Sequence, residues 1–214
     1  MSRDAPKREV SAAAYEYLMV EIIREFRRAA ATEEDDTAGA SGSRARDVSD
    51  ASTDARVEAA LERLGASVGR RIARLAASSC DPASDEQQAM TILCREFWTR
   101  AFGRRADALR TNNRGTFVVH DDAFAPMRSV PVDTSGTDRG ADARAHLAAH
   151  AGCARGALEA LGVRARARGE TRQPPDARGR RSAASTASTT ASRHPLGRAE
   201  PPAVAFVLDV DRAP

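Results

Sequence analysis

Leu109 to Phe124 reads LRTNNRGTFVVHDDAF. A pair of asparagines and a glycine stand directly before a β-branched run, Thr116 to Val119, and an acidic pair, Asp121-Asp122, follows it. Asn and Gly tolerate left-handed backbone, so TNNRG is expected to stop the preceding helix and Thr116 to start a strand. The acidic pair turns that strand, and FAPMRSV, residues 124–130, is expected to return as its partner, with Pro126 nearer an edge than a centre. The stretch reads as a corner where a helix gives way to a hairpin.

Upstream, Met90, Leu93, Cys94, Phe97, Trp98, Ala101 and Phe102 fall at i, i+3, i+4, i+7, i+8, i+11 and i+12. That is one core-facing stripe carrying the only Trp, and it predicts a helix running to about Leu109. Ser84, with Gln87 three residues on, is the predicted capping box. Two further helices precede it. Tyr15, Leu18, Met19, Ile22, Ile23 and Phe26 line one face of a helix over Val10 to Ala31, while Tyr17 and Val20 widen its apolar arc beyond what one core contact needs. Val57, Leu61, Leu64, Val68, Ile72 and Leu75 make a second stripe from Arg56 to about Ala77, with Gly65 and Gly69 one turn apart on it. Each glycine weakens a helix by about 1 kcal/mol relative to alanine, so another backbone is expected to approach closely there.

Downstream, Asp142 to about Leu161 is a small-residue helix with Gly162 as its stop. VRARARGE, residues 163–170, alternates apolar and basic and predicts a half-buried strand, and AVAFVLDV, residues 203–210, predicts a closing apolar one. Three stretches, about 32–55, 131–141 and 171–202, are polar or low in complexity and read as disordered insertions in one domain spanning 1–214. The ordered parts are then about 10–31, 56–130, 142–170 and 203–212. Segregated helices and hairpins give an α+β fold, four helices packed on a twisted four-stranded antiparallel sheet in the order α-α-α-β-β-α-β-β.

Composition narrows function less than it seems to. The chain has 33 Lys+Arg against 30 Asp+Glu and a net charge of +3, yet a single lysine, Lys7, so the arginine bias is discounted as a sign of partners. Residues 163–200 hold nine Arg and three acids, +6, which leaves the remainder at −3. No nucleic-acid footprint gathers on the folded part. Three cysteines without a CxxC argue against a disulfide scaffold. Glu16 and Glu21 interrupt the N-terminal apolar run, and no stretch approaches the ~20 residues that span a bilayer, so a cytosolic chain without direct membrane insertion is expected.

Phe97, Trp98, Phe102, Leu109, Arg110, Thr111, Asn112, Gly115, Phe117, Val118 and Phe124 together form a pattern: a helix with Phe-Trp, then Leu-Arg-Thr-Asn, a glycine, a short strand, an acidic turn and Phe. This resembles the signature of the small adaptor subunits of the TRAPP (transport protein particle) vesicle-tethering complex, in the subunit-six branch. LERLGASVGRRIARL, residues 61–75, is similar to the family's second helix, and Arg155, Gly156, Leu158, Leu161, Gly162 and Val163 to the end of its last one. The resemblance implies helices on a twisted sheet and dimerisation with the palmitoylated-type TRAPP adaptor subunit. It also implies a non-catalytic place in an assembly that tethers vesicles between endoplasmic reticulum and Golgi and promotes nucleotide exchange on a Rab GTPase. In the family the exchange surface is built mainly from other subunits, so no catalytic residue and no cofactor are expected, and the chain would be cytoplasmic, peripheral to Golgi and ER-Golgi membranes. The expected partner surface is Tyr15, Tyr17, Leu18, Ile22, Val57, Leu61, Leu64, Gly65 and Val68.

Sharper chemistry fares poorly. Asp142, His146, His150 and Cys153 share a helical face, but no glutamate base or distal ligand completes a zinc site, so no metal is expected. Arg100, Arg104, Arg105, Arg110 and Arg114 neighbour Phe97, Trp98 and Phe102, but those rings occupy a core face and cannot stack on bases. Cys94 reads as core and Cys80 as a free structural thiol. The alternative function is a small-molecule-binding sensor domain on the same scaffold, which would keep an internal cavity.

Overall fold

The computed structural model describes residues 12–35, 44–77, 83, 85–130, 138–172 and 201–211. Helix α1 spans Ala12–Asp35 and α2 spans Arg44–Ala77. A third rod is continuous through α3, Glu86–Ile92, a π-helical stretch Leu93–Phe97, and α4, Trp98–Phe102. Then come β1, Ala108–Thr111, β2, Thr116–Asp121, a 3-10 turn Ala125–Met127, α5, Asp138–Ala160, β3, Ala165–Arg172, and β4, Ala203–Val210.

The α+β class and the element order are as expected, while several boundaries are not. Helix covers 32–35 and 44–55, where an insertion was expected. Once a helix is nucleated, Ala-, Arg-, Asp- and Glu-containing sequence propagates it without an apolar stripe of its own. Residues 36–43 lie outside the described residues, as do 131–137 and 173–200 of the other two expected insertions, Cys80 and Ser84. The third rod is capped by Asp85, whose carboxylate accepts from Gln88 N at 2.7 Å. It ends at Phe102, not near Leu109, because Gly103 turns left-handed at φ +83° and donates to Thr99 O at 3.0 Å.

The hairpin is therefore displaced. Its strands are β1 and β2, with Leu109 opposite Val119 and Thr111 opposite Phe117, so Leu109 belongs to a strand and not to a helix end. FAPMRSV is no strand. Pro126 sits in the first turn of the 3-10 segment, where its missing N–H costs nothing and its fixed φ suits the turn.

Sheet order is β1-β2-β4-β3, every neighbour antiparallel. Period-two alternation sends Phe117, Val119, Val204, Phe206 and Leu208 to one face, where they pack with Phe97, Trp98, Phe124 and Leu158 as the main core. The π-helical stretch adds a residue to the turn, and Leu93, Cys94, Phe97 and Trp98 are all buried along the rod. A second, smaller core joins Met19 and Ile23 of α1 to Val57 and Leu61 of α2 and Ala145 and Ala149 of α5.

Candidate functional site

The quoted stretch is organised by one buried carboxylate. Asp121 is sealed from solvent and accepts the Trp98 indole N–H at 2.9 Å, the Arg104 guanidinium at 2.6 Å and the Ala123 backbone N–H at 3.1 Å. A buried charge is tolerable only when so partnered. Around it Trp98 meets Phe102, Phe124 and Phe206 with ring centroids 4.8, 6.4 and 5.4 Å away. Phe97 and Phe117 are buried in the same core.

The β1–β2 loop closes on Asn112. Its side-chain oxygen accepts from Arg114 N at 2.8 Å and Thr116 N at 3.1 Å, and Thr111 Oγ1 accepts from Asn113 N at 3.0 Å. Asn113 and Gly115 adopt φ of +57° and +102°, left-handed values for which Asn and Gly are the suited residues. At the same end of the sheet Gly162, φ +86°, ends α5: Val163 N donates to Leu158 O at 2.9 Å and Gly162 N to Glu159 O at 3.2 Å, a Schellman cap. Arg155 is fixed beside Gly156 by Glu62, 2.8 Å, and by Glu159.

Helices α2 and α5 touch backbone to backbone. A Cβ placed on Gly65 would stand 1.9 Å from the Ala149 carbonyl oxygen, and one on Gly69 2.0 Å from that of Cys153. From the other side, a Cβ on Gly152 would stand 2.2 Å from Glu62 O and one on Gly156 2.0 Å from Ala66 O. The close approach expected at Gly65 and Gly69 therefore comes from within the chain. Val57 and Leu61 are likewise buried against α1 and α5, so these two and Gly65 do not face outward as a partner surface would require. Ile22 packs partly against the same small core. What stays open is Tyr15, Tyr17, Leu18 and Val20 on α1, with Tyr17 75% exposed, and Leu64, Val68 and Leu75 on α2, with Leu75 60% exposed. Leu64, Val68 and Leu75 recur at helical spacing, so they share one face. Leu75 belongs to the apolar stripe of the sequence but lies outside the expected partner surface.

Tyr15 is anchored at its tip. Its hydroxyl lies 2.7 Å from His150 Nε2, and His150 Nδ1 lies 2.6 Å from the His146 carbonyl oxygen. A carbonyl only accepts, so Nδ1 carries the proton and Nε2 receives the Tyr15 hydroxyl. Burial holds His150 down at about 4, below its usual 6.5, and pushes the Tyr15 phenol above its usual value. Burial also pushes the Cys94 and Cys153 thiols up to about 12, so neither is poised as a nucleophile.

A model of the Transport protein particle (TRAPP) component family matches residues 15–185. The chain belongs to the TRAPP component family. Relatives lie in the subunit-six branch. Trafficking protein particle complex subunit 6b of Danio rerio is 32% identical over 104 residues, 49% of this chain and 64% of that protein. Subunit 6B of Homo sapiens is 31% identical over the same shares, and human subunit 6A 32% identical over 48% of this chain and 63% of that protein. The chain thus spans a little under two thirds of the length of the curated relatives it matches. A crystal structure of trafficking protein particle complex subunit 3 from Naegleria fowleri covalently bound to palmitic acid superposes with a TM-score of 0.49 at 11% identity, covering 94% of this chain and 98% of that one, too loosely to carry an argument.

In this TRAPP family chain two of the residues weighed for zinc are engaged elsewhere. Asp142 pairs with Arg27 at 2.6 Å, and His150 is held by Tyr15 and its own helix. Among the described residues no three such donors converge, and no helix is long and apolar enough to cross a membrane. Phe97 and Trp98 are closed to any base. The residue that sequence reasoning missed is Asp121. A lone buried Trp needs an acceptor for its N–H, and the acidic pair after the strand was the signal for it.

Proposed function

We propose that this TRAPP family chain is a non-catalytic subunit that pairs with a related adaptor subunit through the open apolar face of α1 and α2. The assembly so formed acts in vesicle tethering between endoplasmic reticulum and Golgi and supports nucleotide exchange on a Rab GTPase, with the exchange chemistry residing in other subunits. One observation carries the pairing: Tyr17, Leu18, Val20, Leu64, Val68 and Leu75 remain exposed on neighbouring helices after both cores are filled. An apolar surface of that kind favours burial at about 25 cal/mol per Å². The surface is narrower than the sequence suggested, since Val57, Leu61 and Gly65 are used internally.

Co-expression with a related adaptor subunit, followed by size-exclusion chromatography, tests the reading. A stable heteromeric peak, with the lone chain prone to aggregate, is the expected result. A monodisperse lone chain that forms no complex would overturn it. The sensor alternative is disfavoured by the packing of Phe97, Trp98, Phe124 and Phe206 between helices and sheet, where a ligand cavity would have to lie.

A further inference from the structure

Within the TRAPP signature most residues have an internal task. Phe97, Trp98, Phe117 and Phe124 fill the core, and Thr111, Asn112 and Gly115 build the loop. Leu109 and Arg110 have none. Both lie on β1, whose four residues are all exposed and which forms one edge of the sheet. Asn112 N donates to Thr116 O at 3.2 Å, making that pair hydrogen-bonded; alternation along an antiparallel ladder then turns the N–H and C=O groups of Leu109 and Thr111 away from β2, off the edge.

Charge at this edge is predominantly positive. Arg104 to Arg114 holds four arginines and a single acid, Asp107. Asp107 is already engaged by Arg104 and by Asp122 N, the latter at 2.7 Å. The side chains of Arg105, Arg110 and Arg114 form no hydrogen bond or ion pair among the described residues. Arg110 shares the face of β1–β2 that points away from the helices with its diagonal neighbour His120, and neither ring nitrogen of His120 has a hydrogen-bond partner. Leu109, on the other face, is an exposed apolar side chain.

We propose that the β1 edge receives an extended acidic segment of a partner protein as an added strand: its backbone pairs with Leu109 and Thr111, a carboxylate meets Arg110 beside His120, and an apolar side chain covers Leu109. This surface is separate from the α1–α2 face proposed for the adaptor subunit. A peptide is favoured over nucleic acid because the edge offers strand-pairing groups, while the nearby aromatics Phe97 and Trp98 are buried and cannot stack on bases.

Titration of the full chain with the peptide TVEVEVT tests this, read by NMR amide shifts and exchange. The expected result is saturable binding with protection of the Leu109 and Thr111 amides, weakened by about fivefold or more in Arg110→Glu or when Gln replaces Glu in the peptide. N-methylation of alternate peptide amides is expected to abolish it, and Leu64→Asp to leave it unchanged, which keeps the result independent of subunit pairing. Absence of binding at about 1 mM peptide, binding indifferent to Arg110→Glu or to N-methylation, or tighter binding of a short single-stranded RNA at the same amides would each overturn the proposal.

Discussion

Trp98 donates its indole N–H to Asp121 Oδ2 at 2.9 Å, tying the helical rod to the end of β2 where neither side chain reaches water. Asp121→Ala would strand that donor, the Arg104 guanidinium and the Ala123 N–H together. The expected loss is about 3–5 kcal/mol, roughly 10 °C of melting temperature at 2–4 °C per kcal/mol for a chain of this size. Asp121→Asn keeps one acceptor oxygen and should lose less. Thermal unfolding followed by circular dichroism decides it, and an alanine variant melting within about 1 °C of the parent would refute the role assigned to this carboxylate.

Gly65→Ala and Gly156→Ala are expected to destabilise by at least ~2 kcal/mol, although alanine is the better helix former by about 1 kcal/mol. The added methyl would meet a carbonyl oxygen at 1.9 or 2.0 Å and wedge α2 from α5. Gly103→Ala meets no atom within 4 Å and pays only for its φ of +83°, about 1 kcal/mol. Urea midpoints for the three variants should fall in that order, and equal losses would argue against a backbone-to-backbone crossing.

Acidification should loosen α1 from α5. His150 has its folded value depressed to about 4 from 6.5, so the unfolded chain takes up the proton first as pH falls. Its contribution is complete above about pH 6.5 and is lost progressively as pH drops toward 4, on the order of 3 kcal/mol in all. Burial lowers His146 in the same direction, with Asp142 opposing and Arg27 reinforcing the shift. Denaturant titrations at pH 7, 6 and 5 should show the fall, flattened in His150→Gln. A slope unchanged by that variant would place the pH dependence elsewhere.

Leu18→Asp and Leu64→Asp, on the open surface, should alter stability by no more than about 0.5 kcal/mol and yet abolish pairing with the adaptor subunit. Leu61→Asp, only three positions from Leu64 but fully buried, should unfold the chain, since an unpaired buried carboxylate costs several kcal/mol. Co-purification beside circular dichroism separates the two effects; pairing retained by both surface variants would dismiss the α1–α2 face as the contact.

Periodicity revealed the helices because burial on one side is a property of spacing alone. Met90 through Phe102 is the clearest case: five of the seven members of that stripe are buried and Ala101 and Phe102 are partly so. The endpoints were harder. Gly103 stops the rod by a left-handed turn, but the richer cluster TNNRG, starting eight residues further on, reads as the stronger terminator; that cluster is the β1–β2 loop. Ala108–Thr111 has no alternating burial to advertise a strand, because an edge strand exposed on both faces imposes none. The partner surface was half legible for a related reason. Val57, Leu61, Leu64 and Val68 look alike as a stripe, and only the path of α1 and α5 determines which pair is covered.

Strand β4 lies between β2 and β3, although it is made after both. On the ribosome the hairpin and β3 must wait without a neighbour until residues 203–210 have emerged, and only then does the sheet acquire its keystone. Translation order thus leaves the β2 edge exposed while α5 and everything after it are being made, and the β3 edge beside it once residue 172 has been added, a window open to holding factors or to the proposed partner subunit.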